Sequence, residues 1–223
     1  MSSTKQSHSL TIAEAASAIA SGELTPSQLV NSCLERIDAV DGAIKAWVLV
    51  DREGALATAR QLDSELARGQ RRGALHGIPI GIKDIFYTAG LPTEAGSRAW
   101  AGFIPEYDAT TVARLKTSGA VVLGKTHTTE FAVMDPAPTR NPWNTEHTPG
   151  GSSSGSGAGV ATGMCSAALG SQTLGSVLRP AAYNGIVGFK PQHGRISIYG
   201  VVPVSPTLDH VGVLARTVKD AAL

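Results

Sequence analysis

The sequence predicts an α/β fold carrying an α-helical N-terminal layer. Three observations point there. Helix start and stop signals punctuate the chain up to Gly69, strand-helix-strand order follows from Gly73, and a segment dense in Ser and Gly runs from Pro149 to Ser176. That last segment holds seven serines and eight glycines in twenty-eight residues. Between them lie Val160, Ala161, Met164 and Ala167 to Leu169, too apolar for a flexible linker, so a loop, helix, strand and loop inside a folded core are expected.

Each element has its own signal. Thr11 with Glu14 forms a capping box before an alanine-rich stretch that stops at Gly22. Thr25 with Gln28 forms a second, with Pro26 at the first helical position, and Leu29, Val30, Cys33, Leu34 and Ile37 recur at helical spacing behind it. Asp51 opens a third helix whose Ala55, Ala59, Leu62 and Leu66 share a face and which ends at Gly69. Beyond Gly73, Ile78 to Ile82 reads as a short buried strand, Asp108 to Ser118 as a capped helix stopped by Gly119, and Ala120 to Leu123 as another strand. A helical region, residues 1–72, is therefore expected to pack on an α/β core, residues 73–223. Val218 to Leu223 starts a helix with no stop signal, which suggests a truncated chain.

Composition excludes more than it reveals. The 223 residues are 42% hydrophobic and 17% charged, and 19 basic against 18 acidic residues leave +1 with no charge block. The long-range field that draws proteins to nucleic acid is missing, so no nucleic acid partner is expected. The longest apolar stretches, such as Ala46 to Val50, fall far short of a membrane span, and the polar start Met1 to Leu10 has no signal-peptide core. No membrane association and a cytoplasmic location are the expectation. Two cysteines, Cys33 and Cys165, supply neither a disulfide scaffold nor ligand spacing and read as buried small apolar residues.

Several patterns invite chemistry. Gly150 to Gly159 looks like a phosphate cradle but lacks the Gly-Lys-Ser/Thr ending of a P-loop. Gly151-Ser152-Ser153-Ser154-Gly155 formally matches a nucleophile elbow centred on Ser153, yet Asn141 to Pro149 before it is polar rather than a buried strand. Only His193 and His210 follow as bases, and the six histidines show no metal-ligand spacing. Lys83 ends the apolar run Gly77 to Ile82, where burial lowers an amine's pKa; the bland alternative is a strand-end lysine paired with a neighbour such as Asp84. Ser176 follows Thr173-Leu174-Gly175, where a tight turn can present successive backbone N–H groups beside the hydroxyl as an oxyanion hole. A lone serine in such a place is usually just a turn residue.

Taken together, the motifs resemble the amidase signature family. The matching pieces are Gly77-Ile-Pro-Ile-Gly-Ile-Lys83-Asp84, then Gly124-Lys125-Thr126 with Glu130-Phe131, then Gly150-Gly-Ser152-Ser153-Ser154-Gly-Ser156. Gly170-Ser-Gln-Thr-Leu-Gly-Ser176 and Gly185-Ile-Val-Gly-Phe-Lys190-Pro191 follow in order. The resemblance implies a mixed β-sheet core wrapped by helices and a Ser, cis-Ser, Lys triad. In that triad the third residue of the Gly-Gly-Ser motif, Ser152, lies twenty-four positions before the nucleophile, Ser176, with Lys83 as base. It also implies a cis Gly151-Ser152 peptide and an oxyanion hole from the N–H groups of Thr173, Leu174, Gly175 and Ser176. No cofactor or metal is required, the partner is a small-molecule amide, and a homo-oligomer is left open. Family members are longer, so part of their substrate pocket has no counterpart here.

The nucleophile loop departs from the commonest family pattern. Gln172 and Leu178 replace the usual Asp and Arg, Leu174 replaces a Gly, and an arginine comes one place later as Arg179. The expected activity is hydrolysis of a carboxamide. The rivals are the A-type subunit of a glutamine-dependent tRNA amidotransferase, which the two replacements disfavour, and a non-catalytic scaffold, which the presence of all three reacting groups disfavours.

Overall fold

The computed structural model describes residues 6–223; the start of the polar N-terminus, residues 1–5, lies outside the described residues. The first three helices form where their caps place them. They are α1 (Ile12–Ser21), α2 (Pro26–Ile44) and α3 (Arg52–Ala67). Both capping boxes are made, Thr11 with Glu14 and Thr25 with Gln28, and Gly22 turns the chain left-handed at φ 80° to end α1. The Asp51 carboxylate accepts from the Gly54 N–H at 3.1 Å to start α3.

Six strands form one mixed sheet: β1 (Trp47–Val50), β2 (Pro79–Lys83), β3 (Val121–Thr126), β4 (Ala167–Gln172), β5 (Val187–Phe189) and β6 (His210–Ala215). They lie in the order β1-β3-β2-β4-β6-β5. The central pairs β3/β2 and β2/β4 are parallel and the outer pairs antiparallel. The mixed sheet that the resemblance implies is therefore present. Two finer expectations need correction. Residues 1–72 are not wholly helical, because β1 pairs antiparallel with β3, Trp47 opposite Thr126. The helix expected from Asp108 is α4 (Thr110–Thr117), which starts at Ala109 without a side-chain cap. Asp108 is drawn off instead, accepting from Lys116 Nζ at 2.8 and 2.9 Å and from the Ala89 N–H at 2.8 Å.

The sheet separates two apolar clusters, as side-chain alternation along a strand requires. Ile80 and Ile82 of β2 and Leu169 of β4 face one cluster with Ile12, Ile19 and Phe86. Val121 and Leu123 of β3 and Ala168 of β4 face the other with Val30, Leu34 and Leu62. Cys33 and Cys165 sit in this second cluster, as their apolar reading requires, and burial pushes the Cys165 thiol up to about 12. Truncating a fully buried member such as Leu62 or Leu123 to Ala costs about 2–5 kcal/mol. Among the described residues no helix is long and apolar enough to cross a membrane.

The Ser/Gly segment folds as a loop, the helix α5 (Ser154–Ala161), β4 and a second loop leading into α6 (Leu178–Asn184). Its composition reflects close packing. Every residue from Ser154 to Val160 is buried, and a Cβ on Gly155 would lie 2.1 Å from the Ala46 carbonyl oxygen. Only a helix of small residues fits there. The chain closes with α7 (Val218–Ala222), whose N-terminus Thr217 caps through the Asp220 N–H.

Candidate active site

Parallel neighbours in a sheet end side by side, and the crevice outside their carboxyl ends is where such folds bind ligands. Lys83 is the last residue of β2, and Ser171 and Gln172 are the last two of its parallel neighbour β4, with Ile82 opposite Leu169. The loop before α5 brings Ser152 to the same edge. Lys83 is fully buried, and its Nζ lies 2.6 Å from Ser152 Oγ and 2.8 Å from Ser171 Oγ. The strand-end reading in which Lys83 pairs with Asp84 is overturned. Asp84 faces Lys125 instead, at 3.2 Å, and Lys125 Nζ also donates to Thr93 Oγ1 and to the Phe86 carbonyl.

Burial sets the chemistry of Lys83. It lowers the amine's pKa well below the ordinary 10.5, and the Asp209 carboxylate opposes that shift only in part. The hydrogen bonds are open to either form. An ammonium has three protons to donate and here two hydroxyl partners, whereas a neutral amine can donate to Ser171 and accept from Ser152. Lys125 shows the contrast: burial lowers it too, but the adjacent Asp84 resists and it stays at about 8.

Gly151-Ser152 is a cis peptide, and Gly150 before it has φ 80°, where a side chain is disfavoured. The Ser153 N–H donates to the Ser176 carbonyl at 3.2 Å, which ties this loop to the one carrying Ser176. Ser176 is half-buried at the turn into α6, and among the described residues its hydroxyl makes no hydrogen bond. No hydrogen bond joins Ser176 to Ser152 through their side chains. The structure brings Lys83 and Ser152 together and places Ser176 on the adjoining loop. The N–H groups of Thr173, Leu174, Gly175 and Ser176 are likewise unbonded among the described residues.

Gln172 accounts for the shape of that loop. Its Oε1 accepts from the Val177 and Leu178 N–H groups at 2.8 and 2.9 Å, and its Nε2 donates to the Leu174 carbonyl at 3.0 Å. The side chain thus satisfies the polar groups across the turn while leaving residues 173–176 free to point their N–H groups elsewhere. Thr173 is held from the other side, its hydroxyl donating to Asp209 at 2.5 Å.

Ser153, the centre of the formal elbow, is fully buried and shares its hydroxyl with the Ser171 backbone, at 3.3 Å to both the N–H and the carbonyl. His193 and His210 pack edge to face on each other, ring centroids 5.2 Å apart, and neither hydrogen-bonds to Ser153. That arrangement gives Ser153 no base.

Sequence reasoning missed Ser171 and Asp209. A serine inside an apolar strand carries no signal of its own, and Asp209 reaches the site only because β6 runs beside β4. Removing the Ser171 hydroxyl takes away one acceptor that supports the protonated amine. Ser171→Ala therefore lowers the pKa of the Lys83 amine further, read from the pH dependence of its reaction with an amine-directed reagent.

Known proteins resemble the chain over nearly its whole length. The amidase family profile matches residues 28–223. The A subunit of glutamyl-tRNA(Gln) amidotransferase from Anaeromyxobacter sp. (strain K) is 48% identical over 220 residues, 96% of this chain and 45% of that protein. Its counterpart from Streptomyces coelicolor is 49% identical, over 96% of this chain and 44% of that one. The native peptide amidase from Stenotrophomonas maltophilia superposes with a TM-score of 0.91 at 39% identity, covering 96% of this chain and 46% of its own. A fatty acid amide hydrolase superposes with a TM-score of 0.91 at 28% identity, covering 98% and 41%. The chain spans about half the length of the relatives it matches.

Proposed function

The chain belongs to the amidase family, and from that premise we propose that it cleaves the C–N bond of a carboxamide through a serine acyl-enzyme, with Lys83, Ser152 and Ser176 as the reacting set. The observation that carries the proposal is the fully buried Lys83 amine, 2.6 Å from Ser152 Oγ, with its pKa driven down by burial. A free lysine with a pKa near 10.4 is neutral in only about one part in a few thousand at pH 7. A buried one is a usable base.

Ser176 Oγ attacks the amide carbonyl carbon while its proton passes to Ser152 Oγ, which gives its own proton to the Lys83 lone pair. Negative charge builds on the carbonyl oxygen, toward which the free N–H groups of residues 173–176 are available. Lys83 then returns the proton through Ser152 to the amide nitrogen, the C–N bond breaks, and ammonia or an amine leaves. Water repeats the sequence on the ester, and Ser176 is restored. Ser152 is a relay, so a water can stand in for it in part. Ser152→Ala accordingly loses about 10²-fold in kcat/KM, less than removal of either Lys83 or Ser176, measured by ammonia release.

A second reading is favoured by the relatives near 48% identity, which are amidotransferase A subunits. There the same chemistry releases ammonia from glutamine for use by a partner. Gln172 and Leu178, where that pattern expects Asp and Arg, weigh against it. The full chain tested alone on an amide panel separates the two: turnover without partner subunits supports the hydrolase, and copurifying partners with activity only in their presence support the transamidase.

A further inference from the structure

Asp209 stands where the two working parts of the site meet. β6 begins at His210, opposite Gln172 of β4, so the residue before it in this antiparallel pair comes level with Thr173, the first residue of the nucleophile loop. Asp209 is buried, and its carboxylate is well used. Oδ1 accepts from the Thr173 hydroxyl at 2.5 Å, and Oδ2 accepts from the Val204 and Ser205 N–H groups at 2.8 and 2.9 Å. Its other neighbour is Ser171. Both residues line one cavity of about 20 Å³, room for a single water, and Ser171 Oγ is 2.8 Å from Lys83 Nζ. The carboxylate therefore grips the oxyanion loop and shares a cavity with the hydroxyl to which the base donates.

Turnover creates a charge beside it. Lys83 enters the reaction as a neutral amine and becomes an ammonium when the proton relayed from Ser176 reaches it, in a place where its hydrogen-bond partners are two hydroxyls. An unpaired buried cation is costly, and a nearby anion lowers that cost. Asp209 is the carboxylate that acts on Lys83, since Asp84, next in sequence, is engaged by Lys125. Among the described residues no lysine or arginine forms an ion pair with Asp209. His210 follows it, with Nδ1 2.7 Å from the Leu208 carbonyl oxygen, and carries His193 edge to face. Resting on the acyl-enzyme reading, we propose that Asp209 is a positioning residue for both halves of the reaction, holding Thr173 in the oxyanion loop and supplying the counter-charge for the Lys83 ammonium.

The test follows the rate at which a fluorophosphonate labels Ser176 across a pH series, in the full chain and its variants. Labelling needs both the neutral amine and the oxyanion loop, so its profile has an acidic limb set by Lys83 and a plateau set by the two together. Asp209→Asn removes the counter-charge, moving the limb to lower pH by about one unit and lowering the plateau about ten- to a hundredfold. Thr173→Val breaks only the link to the loop: the plateau falls about tenfold, the limb stays in place, and Thr173→Ser restores the rate. A merely structural role does not move the limb in one variant and spare it in the other. Both histidines are present in every variant, so their titration is common to all the profiles. Half-times of labelling do not depend on how much protein is folded, and the Thr173 pair carries the test if Asp209→Asn does not fold. An unmoved limb in Asp209→Asn, or an unaltered plateau in Thr173→Val, overturns the inference and leaves the acyl-enzyme reading standing. A folded chain that takes no label at Ser176 overturns that reading, and the inference with it.

Discussion

Lys83→Arg in the full chain loses about 10³- to 10⁴-fold in kcat/KM for amide hydrolysis, close to the loss in Lys83→Ala. A structural cation would tolerate the exchange, since both side chains are long and charged. A base does not, because guanidinium remains protonated at any working pH and has no lone pair to offer Ser152. The pH profile follows from the same group. Activity requires the neutral amine and therefore rises with pH through the folded pKa of Lys83, which burial sets well below 10.5. Replacing His193 or His210, which pack on each other and make no hydrogen bond to Ser152, Ser153 or Ser176, leaves that limb in place.

The buried lysine also fixes a stability trend of definite sign. Between its lowered folded pKa and the unfolded value near 10.4, the unfolded chain binds a proton that the folded chain does not. Stability therefore rises with pH across that window. Lys83→Met removes the lysine's contribution, flattens the slope and stabilises the protein most at the lower end, as urea midpoints at a series of pH values will record. Activity and stability then move in opposite directions in a single variant, which a merely damaged fold does not produce.

Ser176→Ala abolishes acyl-enzyme formation, lowering turnover by at least about 10⁴-fold and eliminating fluorophosphonate labelling. Because the Ser176 hydroxyl makes no hydrogen bond among the described residues, its removal leaves the loop held by Gln172 and by the Ser153 N–H intact. The thermal transition is accordingly unchanged within about 0.5 kcal/mol. If label persisted in Ser176→Ala and disappeared in Ser153→Ala, the elbow reading would return.

What could be read from the sequence was what local chemistry decides. The boxes at Thr11 and Thr25, the stop at Gly22 and the strand ending in Lys83 involve partners within a few residues, so spacing suffices to find them. β1 escaped because four residues acquire strand character only by pairing with β3, Trp47 with Thr126. β5 escaped for the same reason, being three residues held by β6. At the site, Lys83 was legible from its apolar run. Ser152 and Ser176 were singled out by the resemblance and its spacing, since neither differs in type from the serines around it. Ser171 and Asp209 became visible only when β4 and β6 were laid beside β2, and Gln172 turned from an anomaly into the residue that shapes the loop.

The central claim, a serine nucleophile driven by a buried lysine, is tested most directly by locating that nucleophile through a covalent adduct. The full chain is treated with a fluorophosphonate at several pH values, digested, and the modified residue located by mass spectrometry. The account predicts a single adduct on Ser176, forming at a rate that rises with pH along the same limb as turnover and that falls in Lys83→Arg. An adduct on Ser152 or Ser153, or one on Ser176 whose rate is indifferent to Lys83, would contradict it.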